Sequence, residues 1–148
     1  TITGQYDCIY TQRMLIQLPT LDEQLAAIQR LRVHLTPNGR LVCVEPSRPG
    51  LGRLNAMRLH VGLLAIEPPA HTNYLPALWQ PHAGLLSQAT FGQSYSFLSR
   101  VVEAYRAQQE GREPRYMDPD SLEGQLWLRL PDTTECFGQY HYSVWGPA

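Results

Sequence analysis

The chain has 148 residues with 12 basic and 13 acidic side chains, a net charge of −1 and a pI near 6.5. This balance provides no basic field for nucleic acid and no polybasic stretch for an anionic membrane, so neither is expected as a partner. All the basic residues are arginine, which excludes Schiff-base chemistry, a lysine general base and a P-loop lysine.

Length and cysteine usage indicate the class of protein and its compartment. A chain of this size is expected to form one domain over 1–148 with a core of its own. No apolar run approaches the roughly 18 residues that a membrane-spanning helix needs, and no secretory signal pattern is present. The odd set Cys8, Cys43 and Cys136 lacks metal-ligand spacing, and two of the three lie in apolar strand-like runs. Reduced core thiols and a cytoplasmic location are therefore expected.

The chain begins with a predicted strand and helix. Asp7–Tyr10 is typical of a short parallel strand. Thr20 can cap a helix, with Glu23 three residues later completing a capping box. Apolar residues then recur at helical spacing as far as Leu35, which predicts an amphipathic helix with one buried face.

A second strand is predicted directly after this helix. The residues 37–39, Pro-Asn-Gly, are expected to end the helix and turn the chain. The apolar run within 40–45 is of the kind that parallel sheets bury on both faces, so the unit predicts a right-handed crossover in a mainly parallel sheet. The Pro- and Gly-rich stretch 46–52 is expected to be a loop at the carboxyl end of that strand, where α/β sheets bind ligands.

The remaining elements are less regular. A helix is predicted over 51–60, and an irregular covering segment that carries four prolines over 67–81. Residues 94–106 are expected to start extended at Tyr95 and continue as a helix. A further helix is predicted over 122–130, and the alternation over 137–145 predicts a terminal strand.

Several of these stretches, in this order, resemble class I S-adenosylmethionine-dependent methyltransferases. Tyr6–Pro19 is similar to the family's fourth-strand motif and the loop after it, and Leu35–Leu41 resembles its "L-K-P-G-G-R-L" turn, with Thr36 and Asn38 in place of Lys and Gly. The resemblance extends through further segments to nearly the whole chain: Glu45–Ser47, Gly50–Leu51, Leu54–Arg58, His71–Leu75, Ser94–Val101 and the closing strand.

The resemblance implies the carboxyl-terminal half of a Rossmann-like methyltransferase fold, an α/β fold with a partial, mainly parallel sheet and an antiparallel terminal strand. The family's first strand, its Gly-rich cofactor turn and its ribose-binding acidic residue correspond to sequence upstream of the matching segment. Gly50-Leu51-Gly52 follows Pro49 and is not followed by a third glycine, which is the wrong context for a nucleotide loop. S-adenosylmethionine is therefore expected to bind only when the missing half is supplied. A second chain or a second copy is expected to cover the exposed edge of the first strand.

The resemblance also implies site residues at the strand ends. Thr11 and Gln12 are expected to bind the cofactor, because this strand end borders the transferred methyl group in the family. Arg13 and Glu45 are expected to act in catalysis. In-line methyl transfer mainly requires that the reactants are positioned, and it requires a base only when the nucleophile carries a proton. The structural alternatives are that Arg13 pairs with a carboxylate, and that Glu45 forms an ion pair with Arg13 or Arg58.

An acceptor pocket is expected in the segments that follow the second strand. Four polar residues are predicted to line it for a small-molecule or glycan-like acceptor: Asn55, Arg58, His71 and Asn73. For His71 the alternative is a loop imidazole that ties down backbone. His60, His71 and His82 are spaced too irregularly for a metal site, so no metal is expected.

The sequence leaves three functional interpretations open. The chain can be the acceptor-side subunit or fragment of a methyltransferase, a non-catalytic interaction module that retains half of the fold, or a truncated chain with no independent role. A partner chain that carries the Gly-rich cofactor loop would favour the first of these interpretations.

Overall fold

The structure is a computed structural model that describes residues 3–75, 82–115, 118–130 and 138–148. Its strands are β1 (Tyr6–Gln12), β2 (Leu35–Pro46), β3 (Leu85–Phe91) and β4 (Tyr140–Trp145). Its helices are α1 (Leu21–Arg32), α2 (Arg48–His60), α3 (Gln93–Phe97), α4 (Glu103–Gln109) and α5 (Leu122–Arg129). A 3₁₀ turn (Leu15–Gln17) follows β1, and a π-helical segment (Leu98–Val102) joins α3 to α4 without a break. The chain is thus mixed α/β, as predicted.

The predicted strand–helix–strand unit is confirmed. The Thr20 hydroxyl accepts a hydrogen bond from the Glu23 amide at 3.2 Å, and the Glu23 carboxylate accepts one from the Thr20 amide at 3.1 Å. This capping box starts α1, as the sequence predicted. β1 and β2 pair in parallel, with Ile9 opposite Leu41.

The predicted end of α1 is wrong. α1 ends at Arg32, and Leu35 already belongs to β2, where it pairs with Tyr6. The register then shifts before Cys8 pairs with Arg40, so the predicted turn at 37–39 is an irregular stretch inside a long strand. Pairing with β1 outweighs the local turn preference here, because backbone groups at this edge gain partners in the sheet.

Other predicted boundaries also differ from the structure. The predicted loop over 46–52 is wrong beyond Ser47, because α2 begins at Arg48 with Pro49 in its first turn, where a missing amide proton costs nothing. Tyr95 lies within α3 and is not extended, and β3 was not predicted at all. Three other predicted elements are confirmed, with boundaries that differ by no more than three residues: α2, α5 and the terminal strand β4. In the segment 67–81, residues 76–81 lie outside the described residues.

The described strands form one four-stranded sheet in the order β1-β2-β4-β3. β4 runs antiparallel to β2, with Leu41 opposite Trp145 and Pro46 opposite Tyr140, which confirms the predicted antiparallel terminal strand. The sheet is therefore mixed, and β4 lies beside β2 inside it. Among the described strands, β1 forms one edge of the sheet.

The chain divides into two compact units, each built from segments distant in sequence. The first comprises Thr1–Arg48, Pro68–Ala89 and Tyr140–Ala148, and the second Pro49–Glu67 and Thr90–Gln139. The core of the first unit lies on one face of β2 and β4, beneath α1, and is formed by the buried residues Leu15, Ile28, Leu31, Leu35, Leu41, Cys43, Leu75 and Trp145. Among the described residues, no helix has the length and apolar character to cross a membrane.

The prediction that Cys8, in β1, is a core thiol is wrong, because alternate side chains of this strand point to opposite faces of the sheet. Ile9 is partly buried and Thr11 is buried, whereas Cys8 and Tyr10 point to the opposite face and are exposed. Cys43 is buried as predicted, and Cys136 lies outside the described residues.

Candidate functional site

The candidate site lies at the carboxyl ends of β1 and β2, in the first unit. These strands are parallel neighbours, with Thr11 opposite Cys43 and Gln12 opposite Val44, so both end at the same edge of the sheet. Open α/β sheets bind ligands at this edge. The structure therefore brings the predicted residues Thr11, Gln12 and Glu45 together with Arg13, which follows β1 directly.

Glu45 holds the backbone that follows β1. Its carboxylate is fully buried and accepts hydrogen bonds from the amides of Met14 at 3.1 Å, Leu15 at 3.1 Å and Ile16 at 3.4 Å. Burial raises the pKa of Glu45 above its ordinary value, and the three amides and the charge of Arg13 oppose that shift. A raised pKa suits a base, but the three amides occupy the acceptor oxygens. The geometry favours a positioning role for this side chain.

Arg13 has an unusual backbone conformation. Its φ is 54°, and among the described residues no other non-glycine residue has a positive φ. The Arg13 amide donates to the Val44 carbonyl at 2.9 Å, which fixes this conformation against the end of β2. Its side chain is exposed and forms no ion pair with Glu45 in the described part of the chain. The guanidinium is thus presented at the strand end.

A row of three small polar side chains crosses the sheet beside Glu45. Thr11 lies opposite Cys43 on one side, and Ser143 lies opposite Cys43 on the other. The Trp145 indole donates to the Ser143 hydroxyl at 2.8 Å, whereas the buried Thr11 hydroxyl makes no hydrogen bond of normal geometry. Burial raises the pKa of Cys43 to about 11, with the nearby hydroxyls of Thr11 and Ser143 only partly offsetting it. The thiol is protonated at neutral pH.

His141 belongs to the same site, although no sequence pattern predicted it. It lies directly opposite Glu45 across the β2–β4 pairing, is 1% exposed, and has no hydrogen-bond partner on either ring nitrogen among the described residues. Burial lowers the pKa of His141 to about 4, so the imidazole is neutral at physiological pH. We define the strand-end cluster as Thr11, Gln12, Arg13, Glu45 and His141.

Asn73 extends this site through the backbone that Glu45 holds. Its amide donates to the Ile16 carbonyl at 2.7 Å and its side chain to the Leu18 carbonyl at 3.3 Å. The Gln24 side chain in turn donates to the Asn73 carbonyl at 2.9 Å. Asn73 is thus joined to the segment after β1, whereas His71, two residues earlier, is exposed.

The other two predicted acceptor residues lie in the second unit and bind backbone. The Asn55 side chain donates to the Ile66 carbonyl at 2.9 Å and accepts from the Ile66 amide at 2.8 Å. Arg58 is 7% exposed and donates to the carbonyl of Leu64 at 2.8 Å and to that of Arg100. Both side chains tie α2 to neighbouring backbone. The four predicted acceptor residues are therefore divided between the two units.

The fold and site define a mixed α/β protein with an open sheet and a buried carboxylate at the ends of its parallel strands. No family model matches the sequence, and no curated protein is significantly similar to it.

Proposed function

We propose that this chain supplies the acceptor side of an S-adenosylmethionine-dependent methyltransferase that acts on a small-molecule or glycan-like acceptor. One observation carries the proposal: the segments that resemble the family's fourth strand and the turn before its next strand fold into adjacent parallel strands, beside an antiparallel terminal strand. This is the arrangement that the resemblance implies, and the proposal is supported by the polar strand ends, which lie at the edge where open α/β sheets generally bind ligands.

The strand-end cluster fits part of a cofactor site. Gln12 is exposed at the end of β1 and can contact a bound group. Thr11, which precedes it in the strand, has a buried hydroxyl without a hydrogen-bond partner in the described part of the chain. The resemblance covers the family's fourth strand and the segments after it, so the Gly-rich turn and the ribose-binding carboxylate of the family lie outside the matching segments. We assign these two functions to another polypeptide segment, which would also cover the edge of β1.

Two residues of the strand-end cluster then have defined tasks. S-adenosylmethionine, when bound, would supply an electrophilic methyl group, and these residues would position the acceptor for in-line transfer. Glu45 fixes the amides of Met14 and Leu15, and so fixes the backbone next to the reacting groups. Arg13 presents its guanidinium at the strand end to orient an acceptor oxygen or anionic group.

A second function, a non-catalytic interaction module, is favoured by the edge of the sheet. β1 is an edge strand on which Tyr6 is 42% and Tyr10 57% exposed, with Cys8 exposed between them. Such an edge offers unpaired backbone groups and apolar contact area for a strand from another chain. In this interpretation the strand-end cluster only stabilises the fold.

Photo-crosslinking of methyl-tritiated S-adenosylmethionine to the native polypeptide or complex that contains this chain tests the proposal. We expect label that excess S-adenosylhomocysteine competes away, and methyl transfer that Arg13→Ala reduces at least about tenfold, the loss of one oriented charged contact. Arg30→Ala, an exposed arginine of α1, is the matched control and is expected to keep full transfer. Lack of competable label, with partner binding lost in Tyr10→Lys, would favour the interaction module.

A further inference from the structure

The second unit contains a small cavity with two helical walls. One wall is the continuous helix formed by α3, the π-helical segment and α4, and the other is α5. It measures about 20 Å³, which is room for a group the size of one water molecule. Its lining includes Tyr95, Ser99, Glu103, Glu123 and Trp127. None of these residues belongs to the strand-end cluster, so the cavity needs its own explanation.

Glu123 lines this cavity and carries one oxygen without a donor. The residue is 6% exposed, its Oε1 accepts from the Arg106 guanidinium at 3.2 Å, and its Oε2 has no hydrogen-bond partner among the described residues. Glu123 lies in the first turn of α5, where the helix dipole favours a negative charge. A buried carboxylate oxygen without a donor is unfavourable, so the site favours a group that donates hydrogen bonds.

The two serine hydroxyls that line the cavity have already used their protons. Ser99 donates to the Tyr95 carbonyl at 2.6 Å, and Ser121 donates to the Asp118 carbonyl at 2.8 Å. Ser121 also accepts from the Gly124 amide at 3.0 Å, as the cap of α5. Each hydroxyl can therefore offer only an acceptor to an additional group.

Glu103 already accepts three hydrogen bonds, so it does not compete with Glu123 for an additional donor. Arg112 donates to its two carboxylate oxygens at 2.6 and 3.2 Å, and the Arg115 amide donates to it at 2.8 Å. These bonds hold the pKa of Glu103 below its ordinary value, so it stays ionised. The cavity thus combines the ionised carboxylate of Glu103, which is paired with Arg112, with a second carboxylate, of Glu123, whose Oε2 lacks a donor among the described residues.

Aromatic rings form the remaining wall. The ring centroids of Tyr95 and Trp127 lie 5.2 Å apart, and the ring planes are inclined at 59°. Trp127 is 36% exposed, so this part of the aromatic wall is accessible from solvent. Aromatic faces attract ammonium groups, most strongly at tryptophan. A metal ion is a poor occupant, because no three metal-ligating side chains are grouped in the described part of the chain.

We propose that this cavity binds a primary ammonium group, which donates to Glu123 Oε2 and to Ser99 Oγ and lies against Trp127. The chain contains no lysine, so none of its own side chains supplies such a group. The ammonium comes from a small alkylamine or from a lysine side chain of another protein. Arg115 is exposed and also lines the cavity, so its positive charge opposes the incoming cation.

Titration of the whole chain with n-butylammonium chloride, followed by NMR at the Trp127 indole proton, tests the proposal. We expect saturable binding that Glu123→Gln weakens at least about tenfold, since a charge-assisted hydrogen bond is lost. Glu113→Gln, an exposed glutamate of the same unit, is the matched control and is expected to bind as the unchanged chain does. Nα-acetyl-lysine N-methylamide distinguishes the sources: tighter binding than n-butylammonium indicates a protein lysine, and equal or weaker binding a small amine.

Two further variants keep the test decisive if Glu123→Gln does not fold. Trp127→Leu is expected to weaken binding severalfold, and Arg115→Ala to strengthen it severalfold, because it removes a like charge and keeps the backbone amide. The proposal is overturned if no saturable binding occurs, if n-butanol binds as tightly as n-butylammonium, or if neither variant changes the affinity in the stated direction. The outcome is independent of methyl transfer.

Discussion

The carboxylate of Glu45 accepts a hydrogen bond from the amide of Leu15 at 3.1 Å, although the two residues are 30 positions apart in the sequence. The bond connects the end of β2 to the 3₁₀ turn that follows β1. It therefore makes the shape of one strand end depend on a buried charge in the neighbouring strand. This relationship is the structural basis of the strand-end cluster.

Glu45 is expected to be essential for the stability of this region. Glu45→Ala leaves the amides of Met14, Leu15 and Ile16 without their acceptor, and we expect the free energy of unfolding to fall by about 3 kcal/mol or more. Glu45→Gln keeps one acceptor oxygen and is expected to lose about 1 to 2 kcal/mol. Urea unfolding followed by circular dichroism measures both values.

The exposed Glu67 provides a matched control for these variants. Glu67→Gln is expected to change the unfolding free energy by less than about 0.5 kcal/mol, as surface substitutions generally do. If Glu45→Ala is equally neutral, Glu45 does not hold the backbone after β1.

His141 is expected to make stability fall at acidic pH. Its pKa is about 4 in the folded chain against an ordinary value of 6.5, so the unfolded chain binds the extra proton between these values. Stability from this group is complete above pH 6.5 and decreases as the pH falls towards 4, by about 3 kcal/mol in total. Glu45, whose pKa is raised, acts in the opposite direction, since its folded form takes up a proton at higher pH than the unfolded form.

Comparing His141→Leu with His60→Leu isolates the contribution of His141 to the pH dependence of stability. His141→Leu is expected to remove the loss of stability between pH 6.5 and 4, whereas His60→Leu, at an exposed histidine, is expected to retain it. Thermal melts across this pH range measure both profiles. Identical slopes for the two variants would mean that His141 is not a buried neutral imidazole.

The two described cysteines are expected to differ strongly in reactivity. Cys8 is exposed, whereas Cys43 is buried and its pKa is raised from 9.0 to about 11, which lowers its thiolate fraction about a hundredfold. Brief treatment of the folded chain with N-ethylmaleimide at pH 7.5 is therefore expected to label Cys8 and to leave Cys43 unmodified, as peptide mass spectrometry can determine. Cys8→Ser should remove the fast label. Equal labelling of Cys43 would contradict its burial in the core.

Two helical glycines are expected to respond oppositely to alanine. A Cβ at Gly124 would lie 2.1 Å from the Asp118 carbonyl oxygen, whereas a Cβ at Gly52 would meet nothing within 4 Å. Gly124→Ala is expected to destabilise by about 1 to 3 kcal/mol through this overlap, and Gly52→Ala to stabilise by up to about 1 kcal/mol through helix propensity. Melting temperatures of the two variants test this contrast, and a stabilising Gly124→Ala would refute the close approach.

Local patterns in the sequence predicted the elements that local forces determine. The capping box of Thr20 and Glu23 and the apolar run of β2 are read directly from neighbouring residues, and both are confirmed. The entry of Leu35 into β2 depends on pairing with Tyr6, which no local pattern encodes. The same holds for His141: alternation along β4 places it on the face of Trp145, but only the register with β2 places it opposite Glu45.

The candidate site was predicted in part for the same reason. Thr11, Arg13 and Glu45 stand at strand ends that the sequence identifies, so their proximity follows from parallel pairing. The unpaired oxygen of Glu123 could not be predicted, because it depends on which donors surround α5 in the folded unit.

Calorimetric titration of S-adenosylhomocysteine into the native polypeptide or complex that contains this chain tests the proposed cofactor site. We expect saturable binding that is lost or strongly weakened when Glu45→Ala disrupts the strand end, and no binding to residues 1–148 alone. Failure of the native assembly to bind would contradict the methyltransferase proposal. Binding to residues 1–148 alone would contradict the proposal that another segment supplies the cofactor turn.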